Sequence, residues 1–174
     1  MTARAKYGLL AGMVSTIVVL DQTTKALVQR GLTLHESIPI IPDLFNLTYI
    51  RNPGAAFGLF ASQPPWFRTV FFLTVSLVAL GLLATIYWSA PTGSRLLRFG
   101  SLLVMGGAAG NLVDRVRYGQ VVDFLDFYLG SYHWPAFNVA DSCITVGVGL
   151  LLLHYARNRP GASAPDPIDS EAAR

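Results

Sequence analysis

The sequence has few charged residues and a single cysteine. Asp, Glu, Lys and Arg make up 13% of the 174 residues, against 52% hydrophobic residues and a mean hydropathy of +0.46. Since a soluble domain carries about 25% charged residues, this composition excludes an ordinary soluble protein and indicates an integral membrane protein. The one cysteine, Cys143, excludes an internal disulfide framework, and its apolar neighbours favour a small packed side chain over a reactive thiol.

Clusters of basic residues and of metal ligands are also missing. The 13 Lys and Arg residues give a net charge of +3 but occur singly or in pairs, so they form no basic helix of the kind that binds nucleic acid. His35, His133 and His154 lie far apart and lack the spacing of metal ligands. We therefore predict no metal site and no nucleic-acid partner.

Four long apolar stretches predict four membrane-spanning helices. Thr69–Ala90 has no charged residue over 22 positions, enough for a helix to cross a hydrocarbon core of about 30 Å. Tyr7–Leu20 is shorter and reaches spanning length only if its helix continues through the polar residues that follow. In the third stretch, small residues from 106 to 110 predict close approach by a neighbouring helix. The predicted spans are residues 7–28, 69–90, 96–113 and 138–156.

Pairs of basic residues predict the orientation of these spans. One pair precedes the first span, one lies between the second and third, and one follows the fourth: Arg4 and Lys6, Arg95 and Arg98, Arg157 and Arg159. Because cytoplasmic loops are enriched in Lys and Arg, both termini are predicted to face the cytoplasm. The chain is predicted to form one four-span domain over residues 1–159, followed by a disordered cytoplasmic tail over residues 160–174.

The segment between the first two spans, residues 31–67, is predicted to lie on the outer face of the membrane. It mixes β-branched and aromatic residues with Pro42, Pro53 and Gly54, which indicates short strands and turns and not a helix. We expect a small sheet at the membrane surface. The predicted fold class is thus an α-helical membrane protein with four transmembrane helices and a small β-containing segment on the outer membrane surface.

Polar residues from distant parts of the chain collect at the outer ends of the predicted spans. Ionisable groups at membrane depth are costly and usually face a bundle interior or a wet cavity, so each is a functional candidate. Asp21 and Lys25, four residues apart on one helix face, either neutralise one another or support the site. Asp114 and Asp126 are predicted to be solvated. The set comprises Asp21, Lys25, Asn111, Asp114, Arg115, Asp123, Asn138 and Asp141.

Asp123 and Asp141 differ from the other acidic residues. Asp123 lies among valine, phenylalanine and leucine, which predicts a raised pKa because apolar surroundings disfavour the charge. Asp141 falls in the first turn of the fourth span, where Asn138 can cap the helix; a plain capping role for this acid is the alternative. Two carboxylates that share one proton provide an acid and a base, which can activate water against an amide without a metal.

Four motifs resemble those of bacterial lipoprotein signal peptidases, also called signal peptidase II. They are LDQTTK from Leu20, RNPGAAFG from Arg51, GNLVDRVRYGQVVDF from Gly110 and FNVADS from Phe137. The resemblance extends from the first span to the fourth. It implies an intramembrane aspartic endopeptidase that needs no cofactor and removes the signal peptide from a prolipoprotein, cutting before a cysteine that carries diacylglycerol.

The resemblance also implies roles for individual residues. Asp123 and Asp141 would be the catalytic dyad, and the supporting positions would be Asn52, Gly54, Asn111, Arg115, Asn138, Asp21 and Lys25. The segment from Gly54 to Phe57 is expected to close over the substrate's small residues and lipidated cysteine. The expected partners are diacylglyceryl-modified prolipoproteins and membrane lipids, and the protein is expected to act as a monomer in the bacterial cytoplasmic membrane, with its site near the outer, periplasmic face.

Two other classes of function compete with a peptidase. A small proton-coupled transporter or channel would also place aspartates and basic residues at membrane depth. Against it, the polar residues gather at one membrane face, and the sequence has no evident inverted repeat from which to build alternating access. A structural membrane adaptor accounts for the four spans but not for the polar cluster.

Overall fold

The computed structural model describes residues 2–54, 59–91 and 93–158. The predicted tail, and residues Ala55–Phe57 of the segment expected to close over the substrate, lie outside these residues. Four helices in the described chain are long and apolar enough to cross a membrane. They are α1 (Ala3–Gly31), α2 (Pro65–Ser89), α3 (Arg95–Tyr118) and α4 (Val139–Arg157). The predicted fold class is confirmed, and the first helix does run on through Asp21 and Lys25.

Helix α3 is the centre of the bundle. It packs against α1, α2 and α4, whereas α2 and α4 have hardly any contacts with each other within the described residues. Small residues permit this packing, as predicted: a Cβ on Gly107 would collide with the Ala140 carbonyl oxygen of α4, and one on Gly106 would lie 2.6 Å from Ile17 of α1. The result is a groove between α2 and α4 with α3 as its floor.

A four-stranded antiparallel sheet covers one end of the bundle, which we call the sheet end. Its strands are β1 (Ser37–Ile41), β2 (Phe45–Asn52), β3 (Val121–Leu129) and β4 (Tyr132–His133), in spatial order β1-β2-β3-β4. The first two strands fulfil the expectation of a small sheet. Strand β3 is an addition from the segment between α3 and α4: it follows α3 after Gly119, which ends that helix at a φ of 68°.

The sheet is fixed to the end of α1 by a small apolar core. Val28 of α1 and Leu32, the residue that follows this helix, pack against Tyr49 of β2 and against Val122 and Phe124 of β3. The pairing of β2 with β3 places Ile50 opposite Asp123. These contacts hold the start of β3 over the polar ends of the helices.

Candidate active site

Asp123 and Asp141 lie on different elements but line the same cavity of about 700 Å³. Asp123 is near the start of β3, and Asp141 is in the first turn of α4. The chain entering α4 is joined to β3 by two backbone hydrogen bonds between Phe137 and Leu125, at 2.8 and 3.1 Å. Helix α4 therefore begins beside the strand that carries the other aspartate.

Asn138 links the two aspartates directly. Its side-chain Nδ2 donates to Asp123 Oδ1 at 2.8 Å, and its backbone N–H donates to Asp141 Oδ2 at 3.2 Å. Its Oδ1 accepts the backbone N–H of Asp141 at 2.9 Å, so the predicted helix cap is confirmed and is a reciprocal capping box. Asn138 is fully buried, and its hydrogen bonds hold both carboxylates relative to one residue.

The second oxygen of each carboxylate also accepts a hydrogen bond from an asparagine. Asn52 Nδ2 donates to Asp123 Oδ2 at 3.1 Å, and Asn111 Nδ2 donates to Asp141 Oδ1 at 2.8 Å. Neither aspartate forms an ion pair with any residue that the structure describes. The dyad is thus held by neutral donors, which orient its oxygens without neutralising its charge.

Burial raises the pKa of Asp123 to about 7, with the negative charge of Asp141 as the second cause. The hydrogen bonds from Asn52 and Asn138 and the charge of Lys25 act in the opposite direction and lower this pKa. The pKa prediction made from the apolar neighbours of Asp123 is therefore confirmed. A carboxyl group with this pKa exchanges its proton near neutral pH, which suits acid–base chemistry.

This raised pKa predicts how the stability of the fold depends on pH. Asp123 is protonated in both states below pH 4, and the unfolded state ionises first as pH rises, so stability falls through the range up to about pH 7. Asp123→Asn removes this penalty, and we expect it to stabilise the protein by about 2–4 kcal/mol at pH 8.5 and to have little effect below pH 4. Melting temperatures in detergent at both pH values test this. The exposed Asp43→Asn is the control, and an equal gap at both pH values would contradict the pKa.

Gly54 and Arg115 lie at the rim of the cavity. The Gly54 N–H donates to Asn52 Oδ1 at 2.9 Å, which orients the amide that contacts Asp123. The Arg115 guanidinium lies 4.5 Å over the ring of Phe72 and within 3.5 Å of the Gly54 carbonyl oxygen. Asn52, Asn111 and Asn138 therefore contact the dyad directly, and Gly54 and Arg115 connect to it through Asn52.

The prediction that Asp114 and Asp126 are solvated is wrong. Asp114 is 1% exposed, because α3 continues past the predicted end of its span and directs this side chain to the bundle interior. Asp126 is 8% exposed, and it accepts a hydrogen bond from Asn46 and pairs with His133 at 2.9 Å on the sheet. Buried carboxylates with these partners are part of the packed structure.

Asp21 and Lys25 do form the predicted ion pair, at 2.8 Å, and the two side chains are 0% and 2% exposed. Lys25 has further partners that the sequence did not suggest: Asp114, also at 2.8 Å, and Asn111 Oδ1 at 3.0 Å. Gln22, which sequence reasoning passed over, donates to both Asp21 and Asp114. The alternatives of neutralisation and site support are therefore not exclusive.

No group of three or more His, Cys, Asp or Glu side chains with the geometry of a metal site occurs in residues 2–54, 59–91 and 93–158. Two aspartates held by asparagines at one cavity are the arrangement that aspartic hydrolases use to share a proton and to activate a water.

Comparison with known proteins leads to the same chemistry. A bacterial membrane enzyme solved by the in meso method at 2.3 Å resolution superposes with a TM-score of 0.79 at 29% identity, over 91% of this chain and 94% of that chain. The lipoprotein signal peptidase of Desulforapulum autotrophicum is 55% identical over 84% of this chain and 91% of its own length. That of Geobacter sulfurreducens is 48% identical over 87% and 93%. Residues 13–157 match the family model described as signal peptidase (SPase) II. The chain therefore belongs to the signal peptidase II family of aspartic peptidases.

Proposed function

We propose that this protein is an endopeptidase that removes the signal peptide from diacylglyceryl-modified prolipoproteins, with Asp123 and Asp141 as its catalytic dyad. The observation that carries the proposal is Asn138, which donates to one oxygen of each aspartate and so holds both at one cavity. Family membership supports the substrate, since the curated relatives bear the name lipoprotein signal peptidase.

The dyad performs the reaction with a water molecule as the nucleophile. We assign the shared proton to Asp123, because burial and the negative charge of Asp141 together raise its pKa to about 7; it donates this proton to the scissile carbonyl oxygen. Ionised Asp141 accepts a proton from the water, whose oxygen adds to the carbonyl carbon. The tetrahedral intermediate then collapses: its C–N bond breaks, the leaving amine takes the proton from Asp141, and one hydroxyl proton returns to Asp123 as the new carboxyl group forms, which restores the dyad.

The shape of the cavity supports a substrate that enters sideways from the bilayer. The cavity extends from the dyad into the groove between α2 and α4, where its lining turns apolar: Val75, Ala79, Val104, Ala108 and Ile144. This part suits a signal peptide and acyl chains, while the polar rim at the sheet end admits water. The two environments meet at the aspartates, where a lipidated peptide and water must both be present.

Cleavage is expected to decline as pH rises through about 7, because Asp123 then loses the proton that it donates. Initial rates at saturating substrate between pH 5.5 and 9 in one detergent measure this basic limb of the profile. A rate that stays constant up to pH 9 would show that Asp123 is not the acid.

The function itself is tested by incubating the purified protein in detergent with a diacylglyceryl-modified prolipoprotein and with its unmodified counterpart. We expect cleavage of the modified substrate only, immediately before the lipidated cysteine. Equal cleavage of both, or of neither, would refute the proposed substrate class.

The proposed location is the bacterial cytoplasmic membrane, with both termini in the cytoplasm and the dyad near the outer face. The basic residues at the end of the bundle away from the sheet support this orientation: Arg4 and Lys6 lie near the start of α1, and Arg95 and Arg98 lie in the first turn of α3. Since one chain supplies the dyad and all its hydrogen-bond donors, a monomer is the proposed active form.

Reporter fusions test this orientation. A reporter inserted at Ser94 or fused after residue 159 is expected to be cytoplasmic, whereas one inserted at Gln63 or Gly130 is expected to be external. An external C-terminus would invert the four helices and place the dyad near the cytoplasmic face, which would contradict the proposed location.

A further inference from the structure

Two buried carboxylates outside the dyad each hold the backbone next to one of its members. Asp21 Oδ1 accepts the backbone N–H of Ala140, at 3.0 Å, one residue before the dyad member on α4. Asp114 Oδ2 accepts the backbone N–H of Val122, also at 3.0 Å, one residue before the dyad member on β3. The two contacts are equivalent, although α4 and β3 are different kinds of element.

One ammonium group joins these two carboxylates. Lys25 Nζ lies 2.8 Å from Asp21 Oδ2 and 2.8 Å from Asp114 Oδ2. Its third partner is Asn111 Oδ1 at 3.0 Å, and the amide of Asn111 donates in turn to Asp141. The three charged side chains are at most 2% exposed, so water does not compete for these contacts.

None of the three charged residues lines the cavity that holds the dyad. They therefore do not meet a substrate there, and their influence must pass through the backbone contacts and Asn111. A buried charge triad is also a poor device for stability alone, because apolar residues of similar volume stabilise a core as well or better. Apolar residues would not, however, accept the N–H groups of Ala140 and Val122.

We propose that Asp21, Lys25 and Asp114 form a single clamp that sets the spacing of the catalytic aspartates, with Asp114 as a positioning residue for β3. The inference rests on the proposed function. Helix α1 supplies two members of the clamp and α3 the third, so the packing of these two helices fixes where α4 begins and where β3 starts. The spacing of the dyad is thereby coupled to the rigid part of the bundle.

Steady-state cleavage by Asp114→Ala and Asp114→Asn tests the clamp. Alanine removes the acceptor for the Val122 N–H, and we expect kcat per folded enzyme to fall about 100-fold, a loss that a misplacement of about 1 Å is enough to cause, with KM changed less than about threefold. Asparagine keeps a carbonyl acceptor, so kcat of Asp114→Asn should be at least about tenfold higher than that of Asp114→Ala. Asp126→Ala is the control: it also removes a buried carboxylate, but one that lies on β3 away from the dyad. Its kcat should stay within about threefold of the wild type.

The pH profile provides a second measurement that a purely structural role would not change. The charged groups that face Asp123 are Asp141 on α4, Lys25 on α1 and Arg115 on α3. Asp114→Asn frees Lys25 from one of its two counter-ions, so its charge acts more strongly on the dyad, and the basic limb of kcat should move to lower pH by about 0.5–1 unit.

Folded protein in each sample is quantified by size exclusion and circular dichroism before rates are compared. If Asp114→Ala does not fold, the pH profile of Asp114→Asn is the test. A basic limb of kcat at the same pH as in the wild type overturns the clamp. An Asp114→Ala enzyme with wild-type kcat also overturns it and leaves the proposed function intact. A wild-type protein that fails to cleave the lipidated substrate refutes the proposed function instead.

Discussion

Asp123→Asn and Asp141→Asn are each expected to reduce signal-peptide cleavage at least about 1000-fold. Asparagine keeps the size of the side chain and part of its hydrogen bonding to Asn138, Asn52 or Asn111, but it cannot exchange a proton. In the proposed mechanism one carboxylate activates water while the other protonates the carbonyl, so neither can replace the other. The double variant should therefore be little worse than either single variant.

The measurement is cleavage of the lipidated substrate at equal amounts of folded enzyme. Asp126→Asn is the matched control, since Asp126 is also buried on β3 but contacts Asn46 and His133 instead of the dyad. Retention of more than about a tenth of wild-type activity by Asp123→Asn or Asp141→Asn would mean that the catalytic carboxylates are wrongly assigned.

Asn138→Ala is expected to cause the next largest loss, about 100- to 1000-fold in kcat. The substitution removes the donor to Asp123 and the cap that accepts the Asp141 N–H, so both aspartates lose their common reference. The lost cap should also cost about 1 kcal/mol of helix stability.

Asn158→Ala provides the comparison for Asn138→Ala, because Asn158 ends the same helix at the far end and is exposed. It should change kcat less than about twofold. If Asn138→Ala were as active as Asn158→Ala, the hydrogen bonds of Asn138 would not be what holds the two aspartates in place. The observation that carries the proposed function would then be lost.

The sequence was sufficient for the parts of the site that depend on local pattern. Apolar runs without charge predicted the helices, the neighbours of Asp123 predicted its raised pKa, and the position of Asn138 predicted a helix cap. Each of these properties is decided by residues within a few positions along the chain, so each could be found without knowing the fold.

Other parts of the site depend on contacts between distant segments. Asp114 follows an apolar run and so has the local pattern of a solvated residue, but its partners come from α1 and from β3. Nothing in the sequence places Val122 beside it. Gln22 was passed over for the same reason, since its contact with Asp114 exists only after α1 and α3 pack together.

Strand β3 could be predicted from the sequence only in part. Its residues, VVDFLDFYL, include the β-branched and aromatic types that are typical of strands, so a signal was present. The pairing of this strand with β2, which brings Asn52 to Asp123, is a long-range choice that composition does not encode. The segment between α1 and α2 thus contributes to the site through the sheet as well as through Gly54.

The central claim is that an aspartate dyad uses water to cut before the lipidated cysteine. The most direct test is a single turnover of the lipidated prolipoprotein by a molar excess of enzyme in ¹⁸O-labelled water, quenched at intervals and examined by intact-mass spectrometry. We predict a lipoprotein that begins at the modified cysteine, one ¹⁸O atom in the carboxylate of the released signal peptide, and an enzyme of unchanged mass at every time point. An enzyme that carries a covalently bound signal peptide, at Cys143 or elsewhere, would contradict the account.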